Sequence, residues 1–225
     1  MALREFILES IKSNHAVYPY LNRDAQKLAA KQFQSYDALR SDFWARVYDT
    51  VLAYLEGNKP ITLFRKSIIN MMTDYYQEAA ELGYQDNGAE LPLDDKMQSQ
   101  VDGIISGETA NIKDLFVNLR DNSIPDYITE AMDRADGYSR TLDSLYGLGK
   151  VGAMGEKLLT LAGEDGNESC ADCQAMKQQW HPASWWVEND MIPRPGNPNY
   201  ACGNWPGHCN HHLEDKDGNE FVKYQ

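Results

Sequence analysis

All four cysteines of this 225-residue chain, Cys170, Cys173, Cys202 and Cys209, lie beyond residue 165. Four of the five histidines (His181, His208, His211, His212) and four of the five tryptophans (Trp180, Trp185, Trp186, Trp205) lie there with them. The chain therefore has two compositional halves. Residues 163–225 are dense in glycine, proline and asparagine and lose helical period. The run Met191-Ile-Pro-Arg-Pro-Gly-Asn-Pro-Asn199 carries three prolines, each fixing φ and removing a backbone donor, so it cannot be a helix interior. About sixty residues of this composition do not easily build a hydrophobic core of their own, and the cysteines are the expected staple.

Cys170-Ala171-Asp172-Cys173 is a CxxC knuckle, and the second half is Cys202-x6-Cys209, followed at once by Asn210-His211-His212. A tight CxxC turn presents two thiolates to one ion. A second pair from a distant loop completes a tetrahedron with Zn–S distances of roughly 2.3 Å. Four protein ligands leave no position for substrate or water, so such a site is structural, and metal binding becomes part of the folding free energy. The expected cofactor is one structural Zn2+. Cys202 is the simplest choice to complete the set. His211 competes with it, because Cys209-x-His211 places two ligands on one side of a short extended segment. His208 and His212 are weaker candidates. Two other readings stay open: a pair of disulfides, or unpaired buried cysteines. Nothing in the sequence indicates secretion, and cytosolic thiols usually stay reduced.

Residues 1–162 read as helices. Met1–Asn14 carries Arg4, Glu5 and Glu9 within its apolar stretch, which excludes a signal peptide and predicts the first amphipathic helix of an intracellular protein. Trp44, Val47, Tyr48, Val51, Leu52 and Leu55 form a stripe at three- and four-residue steps, and Gly57 is placed to end that helix. The next opens near Asn58, with Pro60 in its first turn, and runs to a polar loop at 84–89. Two shorter helices follow at 93–105 and 109–121, with Gly107 between them. Ser123-Ile124-Pro125 opens a helix whose face carries Ile128, Met132, Ala135, Tyr138, Leu142, Leu145 and Tyr146, and which stops at Gly147 and Gly149. A last helical run at 150–162 ends at Gly163. The fold class that follows is mainly α: a helical domain over 1–162, packed as a bundle. A small irregular zinc-stapled lobe with little regular secondary structure follows over 163–225.

Charge narrows the function classes. Lys and Arg number 21 against 34 Asp and Glu, a formal net charge of −13, and a general nucleic-acid binder needs the opposite sign. No stretch approaches the roughly 18 apolar residues of a membrane span. There is no phosphate loop, no GxGxxG, and no carboxylate spacing that picks out an acid–base pair. The tryptophans of the second half are expected to supply packing rather than a binding platform. Arg194 is expected in a structural salt bridge, and Glu164-Asp165 and Glu214-Asp215 in solvated loop ends.

Four runs of the second half, taken together, resemble a known cysteine cluster. They are Ser169–Cys173, Trp180–Trp186, Ile192–Gly196 and Cys202–Glu214, the last reading CysGlyAsnTrpProGlyHisCysAsnHisHisLeuGlu. The likeness is to the C-terminal cluster of tailed-phage minor head proteins, the head-morphogenesis proteins of the Mu F type. Residues 134–149 are similar to the helix that precedes that cluster, so the resemblance covers 134–222. The closing Cys-x-Cys of the family stands here as Cys209-Asn210-His211. The resemblance implies a non-enzymatic virion component, made in the host cytoplasm and acting at the portal vertex in head assembly or head–tail connection. Its partners would be the portal or major capsid protein, in a few copies per particle, with no specific nucleic-acid or membrane binding.

Two further readings compete. An HNH-type zinc nuclease would place its core at Asn189-Asp190-Met191-Ile192-Pro193, but Met191 stands where the general-base histidine belongs. Residues 164–225 also hold four Lys and Arg against ten Asp and Glu, a poor surface for DNA. A zinc-stapled protein-interaction adaptor with no phage role is the other alternative.

Overall fold

A computed structural model of the chain describes residues 35–119, 126–165, 170–177, 179–194, 197, 199–203 and 209–222. The helix expected at Met1–Asn14, the opening at Ser123–Pro125, Trp205 and His208 lie outside the described residues.

Helix α1 spans Tyr36–Leu55. Ser35 caps it by accepting from the Ala38 amide at 3.3 Å, satisfying a donor that the first turn leaves unpaired. Leu39, Phe43, Val47, Val51 and Tyr54 are buried along one face, and Gly57, at φ +80°, turns the chain out as expected. Helix α2 spans Ile61–Asp86 behind an N-cap Pro60. It runs three residues into the stretch expected to be loop, and the turn comes at Gly88, φ +86°.

Three expectations need correction, and glycine is the cause of the first two. The helices expected at 93–105 and 109–121 are one helix, α3, Asp95–Leu119. Gly107 lies on its exposed side with open space beyond it. One interior glycine costs about 1 kcal/mol relative to alanine, and burial of Met97, Val101 and Ile112 outweighs that. Helix α4, capped by Asp126 through the amides of Ile128 and Thr129, spans Tyr127–Gly152 and does not stop at Gly147 or Gly149. Those glycines are notches. A Cβ on Gly149 would fall far inside contact distance of the Ala80 carbonyl, and one on Gly83 of α2 would strike the Tyr146 carbonyl, so α2 and α4 cross backbone to backbone. The expected inward face of α4 is also shorter than its sequence period, because Ile128 and Met132 are exposed.

The third correction concerns the helical run expected at 150–162. Past Gly152 the chain turns and enters strand β1, Leu158–Asp165, rather than a helix. Leu159 and Leu161 are buried while Leu158 is exposed, the two-residue alternation of a strand. Helix α5 is Ala171–Met176, β2 is His181–Pro182, α6 is Ala183–Glu188, β3 is Cys209–Asp215 and β4 is Glu220–Phe221. The strands form one antiparallel sheet in the order β2-β1-β3-β4. Leu161 faces Leu213, Gly163 faces His211, and Asp165 faces Cys209. β1 thus runs across the position expected to divide the chain, 162/163.

The lobe does have apolar core, and it shares it with the helices. Trp186, Val187, Ile192, Leu213 and Val222 belong to the same buried cluster as Phe43, Tyr76 and Leu145. Val222 seats against Gly147, where a Cβ would come within 2.8 Å of Val222 Cγ1. Trp186 is fully buried and donates its indole N–H to the Leu159 carbonyl at 3.3 Å. Tryptophan packing is as expected there, whereas Trp185 stacks on His181 at 3.8 Å and Trp180 stays exposed. The chain is mainly helical, with a small antiparallel sheet and a cysteine cluster at its C-terminal end. No described helix is long and apolar enough to cross a membrane.

Candidate metal centre

The CxxC knuckle is built by the start of a helix. Cys170 is the N-cap of α5, and Cys173 lies in its first turn. The Cys170 carbonyl accepts from the Gln174 amide and the Cys173 carbonyl from the Lys177 amide, both at 3.0 Å. Two anchors tie α5 to β1. Thr160 Oγ1 donates to the Lys177 carbonyl at 3.2 Å, and Lys177 Nζ donates to the Gly163 carbonyl at 2.8 Å.

Cys202 arrives on a loop fixed by polar side chains, of which the sequence pointed only to Arg194 as structural. Asp190 takes a positive φ of 52° after α6. Its carboxylate accepts both guanidinium arms of Arg194, at 2.6 and 2.9 Å. Arg194 thus forms the structural salt bridge expected of it. Asn197 is fully buried, and its amide donates to the Asp190 and Ile192 carbonyls, each at 2.8 Å. Its Oδ1 accepts from the Asn199 amide at 2.9 Å. Tyr200 Oη donates to the Met191 carbonyl at 2.6 Å, and Gly203, at φ +63°, closes the turn. A signal was present in the sequence: asparagines placed among prolines form such side-chain-to-backbone turns.

These two supports bring three thiols together. The Sγ atoms of Cys170, Cys173 and Cys202 all lie within 4.8 Å of one another, with Cys173 and Cys202 3.5 Å apart. That separation is well beyond the roughly 2.05 Å of a disulfide bond. It matches the S···S edge of about 3.8 Å that follows from a tetrahedron with Zn–S of 2.3 Å. Cys173 is buried, and the other two are partly exposed. Burial, together with the neighbouring Cys202 and Cys170 sulfurs, pushes the Cys173 thiol well above its ordinary pKa. The Cys173 backbone amide pulls the Cys170 thiol below its own. Ionising the Cys173 thiol here is therefore costly without a cation, and a divalent ion bound by it would offset that cost.

The remaining expected ligands sit on β3. Cys209 opens the strand opposite Asp165, and its side chain lies outside the described residues. His211 is fully buried two residues on, opposite Gly163, and it does not join the group that the three thiols form. His212 faces Glu214 and Glu220 instead. Glu214 and Asp215 are not loop ends as expected. Asp215 is buried in β3, accepting from Lys157 Nζ at 2.7 Å, from the Asn219 side chain at 2.8 Å, and from the Asp217 and Asn219 amides at 2.9 Å each. These contacts hold the β3–β4 hairpin turn and depress the Asp215 pKa far below the usual carboxylate range, the Lys157 interaction leading.

Comparison with models of known protein families, with curated protein sequences and with solved structures finds no match to this chain.

Proposed function

We propose that this protein is a structural component rather than an enzyme, and that one Zn2+ ion pins its C-terminal lobe. The observation that carries this reading is the convergence of Cys170, Cys173 and Cys202, from two segments about thirty residues apart in sequence, into one group of metal-bonding geometry. Cys209 is the fourth ligand in this reading. Its register opposite Asp165 sets its backbone at the end of β1 that leads directly to Cys170. His211 lies two residues further along the strand, about 6.6 Å away at strand rise. With four protein ligands the ion has no open position, so its role is to fix the lobe against the helices.

The fuller form of the reading rests on the resemblance of 134–222 to the cysteine cluster of tailed-phage minor head proteins. In it, the zinc-pinned lobe and the helical body present one rigid surface to portal or capsid subunits in the virion. The geometry around Asn189–Pro193 favours this over a nuclease. The Asp190 carboxylate is taken up by Arg194, and Tyr200 and Asn197 occupy the neighbouring carbonyls.

Native mass spectrometry before and after a denaturing, chelating step tests the first part. The expected result is one zinc per chain and four titratable thiols after chelation. A mass lower by two or four hydrogens with no metal would mean disulfides and overturn it. The second part is tested by proteomics of purified particles and by co-purification with the portal protein. Absence from both would leave a zinc-pinned adaptor and remove the phage role.

A further inference from the structure

The thiol group has a buried side and an open side. Cys173, in the first turn of α5, is fully buried, whereas Cys170 and Cys202 are partly exposed. The Cys173 and Cys202 sulfurs touch at 3.5 Å although 29 positions separate them in sequence. That is about 1.5 Å beyond the roughly 2.05 Å of an S–S bond. The two partners differ in how firmly they are held. α5 is tied to β1 through Thr160 and Lys177. Cys202 sits outside any helix or strand, in a turn that the Gly203 amide closes on the Tyr200 carbonyl at 2.8 Å. A small shift of that turn, with rotation about the Cα–Cβ bonds, brings the two sulfurs to bonding distance. A bond there would join α5 to the Cys202 loop, the same two segments that an ion in the thiol group joins. A bond between Cys170 and Cys173 would close only the start of α5 on itself.

We infer that the centre is redox-responsive: two-electron oxidation by a hydroperoxide couples Cys173 to Cys202, releases the ion, and leaves a covalent tie in its place. This rests on the zinc-pinned reading above. With hydrogen peroxide, the Cys202 thiolate on the open side attacks one peroxide oxygen. The O–O bond breaks, Cys202 becomes a sulfenic acid, and hydroxide leaves. The buried Cys173 thiolate then attacks the Cys202 sulfur. The S–S bond forms, the S–O bond breaks, and a second hydroxide leaves. Two protons from solvent turn both hydroxides into water. Two thiolates are thus oxidised by two electrons, and one peroxide is reduced to two waters. The coupled sulfurs have lost their thiolate charge and no longer serve as ligands, so the remaining donors do not hold the ion. Oxidation and chelation therefore differ in outcome. Both remove the metal, but only oxidation keeps α5 and the Cys202 loop joined, with the cross-link limiting how far they separate.

The test uses the full-length chain, purified with its zinc, separated from reductant and treated with hydrogen peroxide. Zinc release is followed with a chromogenic metal indicator. Remaining thiols are alkylated, and linked peptides are sequenced by mass spectrometry after cleavage before Asp172, which separates Cys170 from Cys173. The expected result is one zinc released per disulfide formed, with the bond between Cys173 and Cys202. Two of the four cysteines stay alkylatable, and dithiothreitol with added zinc restores the starting state. By hydrogen exchange, the oxidised, zinc-depleted chain keeps its protection at 170–177 and 199–203, whereas the chelated, reduced chain loses it. Cys170→Ser, oxidised without metal, still forms the Cys173–Cys202 bond. A bond between Cys170 and Cys173, sulfinic acids in place of a disulfide, or zinc retained after oxidation overturns the inference. A chain that holds zinc but pairs in another way overturns this inference alone. A chain that holds no zinc before peroxide is added overturns the staple itself, and the release with it.

Discussion

Single residues carry the C-terminal lobe's sharpest dependencies. Cys173 is the buried member of the thiol group and touches Cys202, so Cys173→Ser removes a ligand from the inside of the centre. The expected outcome is loss of the bound metal and rapid proteolysis between 170 and 203, with the far-UV helical signal largely kept. Metal retention with unchanged protease resistance in that segment would contradict the staple. Asp215 makes a separate, pH-dependent contribution. Its folded pKa lies below the unfolded value of about 3.9. Its stabilisation is therefore fully present above that value and is lost as pH falls through the folded pKa. Hydrogen-exchange protection of the Asp217 and Asn219 amides, corrected for the intrinsic pH dependence of exchange, is expected to be constant above about pH 4 and to fall as pH drops below that value. Asp215→Asn is expected to abolish that fall, having already lost the Lys157 ion pair.

At the scale of elements, the same residue type has opposite meanings, and this decided what the sequence could show. Gly149 sits where α4 crosses α2, against backbone that cannot move aside. Gly107 sits on the open side of α3. Gly149→Ala is expected to cost at least about 1–3 kcal/mol through forced separation of the helices. Gly107→Ala is expected to gain about 0.5–1 kcal/mol from helix propensity alone. Thermal denaturation of the two variants checks both signs, at about 2–4 °C per kcal/mol for a chain of this size. The existence of α1, α2 and α4 was legible because their apolar residues recur at helical spacing and Gly57, Pro60 and Asp126 mark their ends. Helix continuity was not legible, because whether a glycine breaks a helix or admits a neighbour depends on what lies across from it. That the CxxC and Cys202 come close enough to bind a metal was legible from spacing and residue chemistry. The Asp190–Asn197 scaffold that delivers Cys202 depends on side-chain-to-backbone bonds that periodicity does not report. β1 was missed because its apolar residues, Leu158, Leu159 and Leu161, fit a short helix as well as a strand until β3 is brought beside them.

For the whole molecule, the lobe and the helices are one packing unit, and this changes what metal removal should do. A lobe held by zinc alone would unfold throughout 163–225 on chelation, as a coreless tail would. Here Leu213 and Trp186 are buried in the same cluster as the helical core, and Val222 fills the notch at Gly147. That contact does not involve the thiol group. β1 also follows α4 after a five-residue turn and pairs along seven residues of β3. Chelation should therefore have a graded effect. Residues 170–177 and 199–203, which carry the three thiols that an ion would join, should lose exchange protection first, whereas α6 between them is anchored by Trp186. The β1–β3 ladder and α4 should keep theirs until global unfolding, since local openings follow the distribution of buried apolar contacts. Hydrogen-exchange mass spectrometry of the chain with and without chelator resolves the two cases. If protection in β1, β3 and α6 collapses together with the cysteine-bearing segments, the ion rather than the shared core holds the lobe. If only the loop segment opens, the metal's task is narrower: it presents the surface around Cys170 and Cys202 in one conformation on a frame that folds without it.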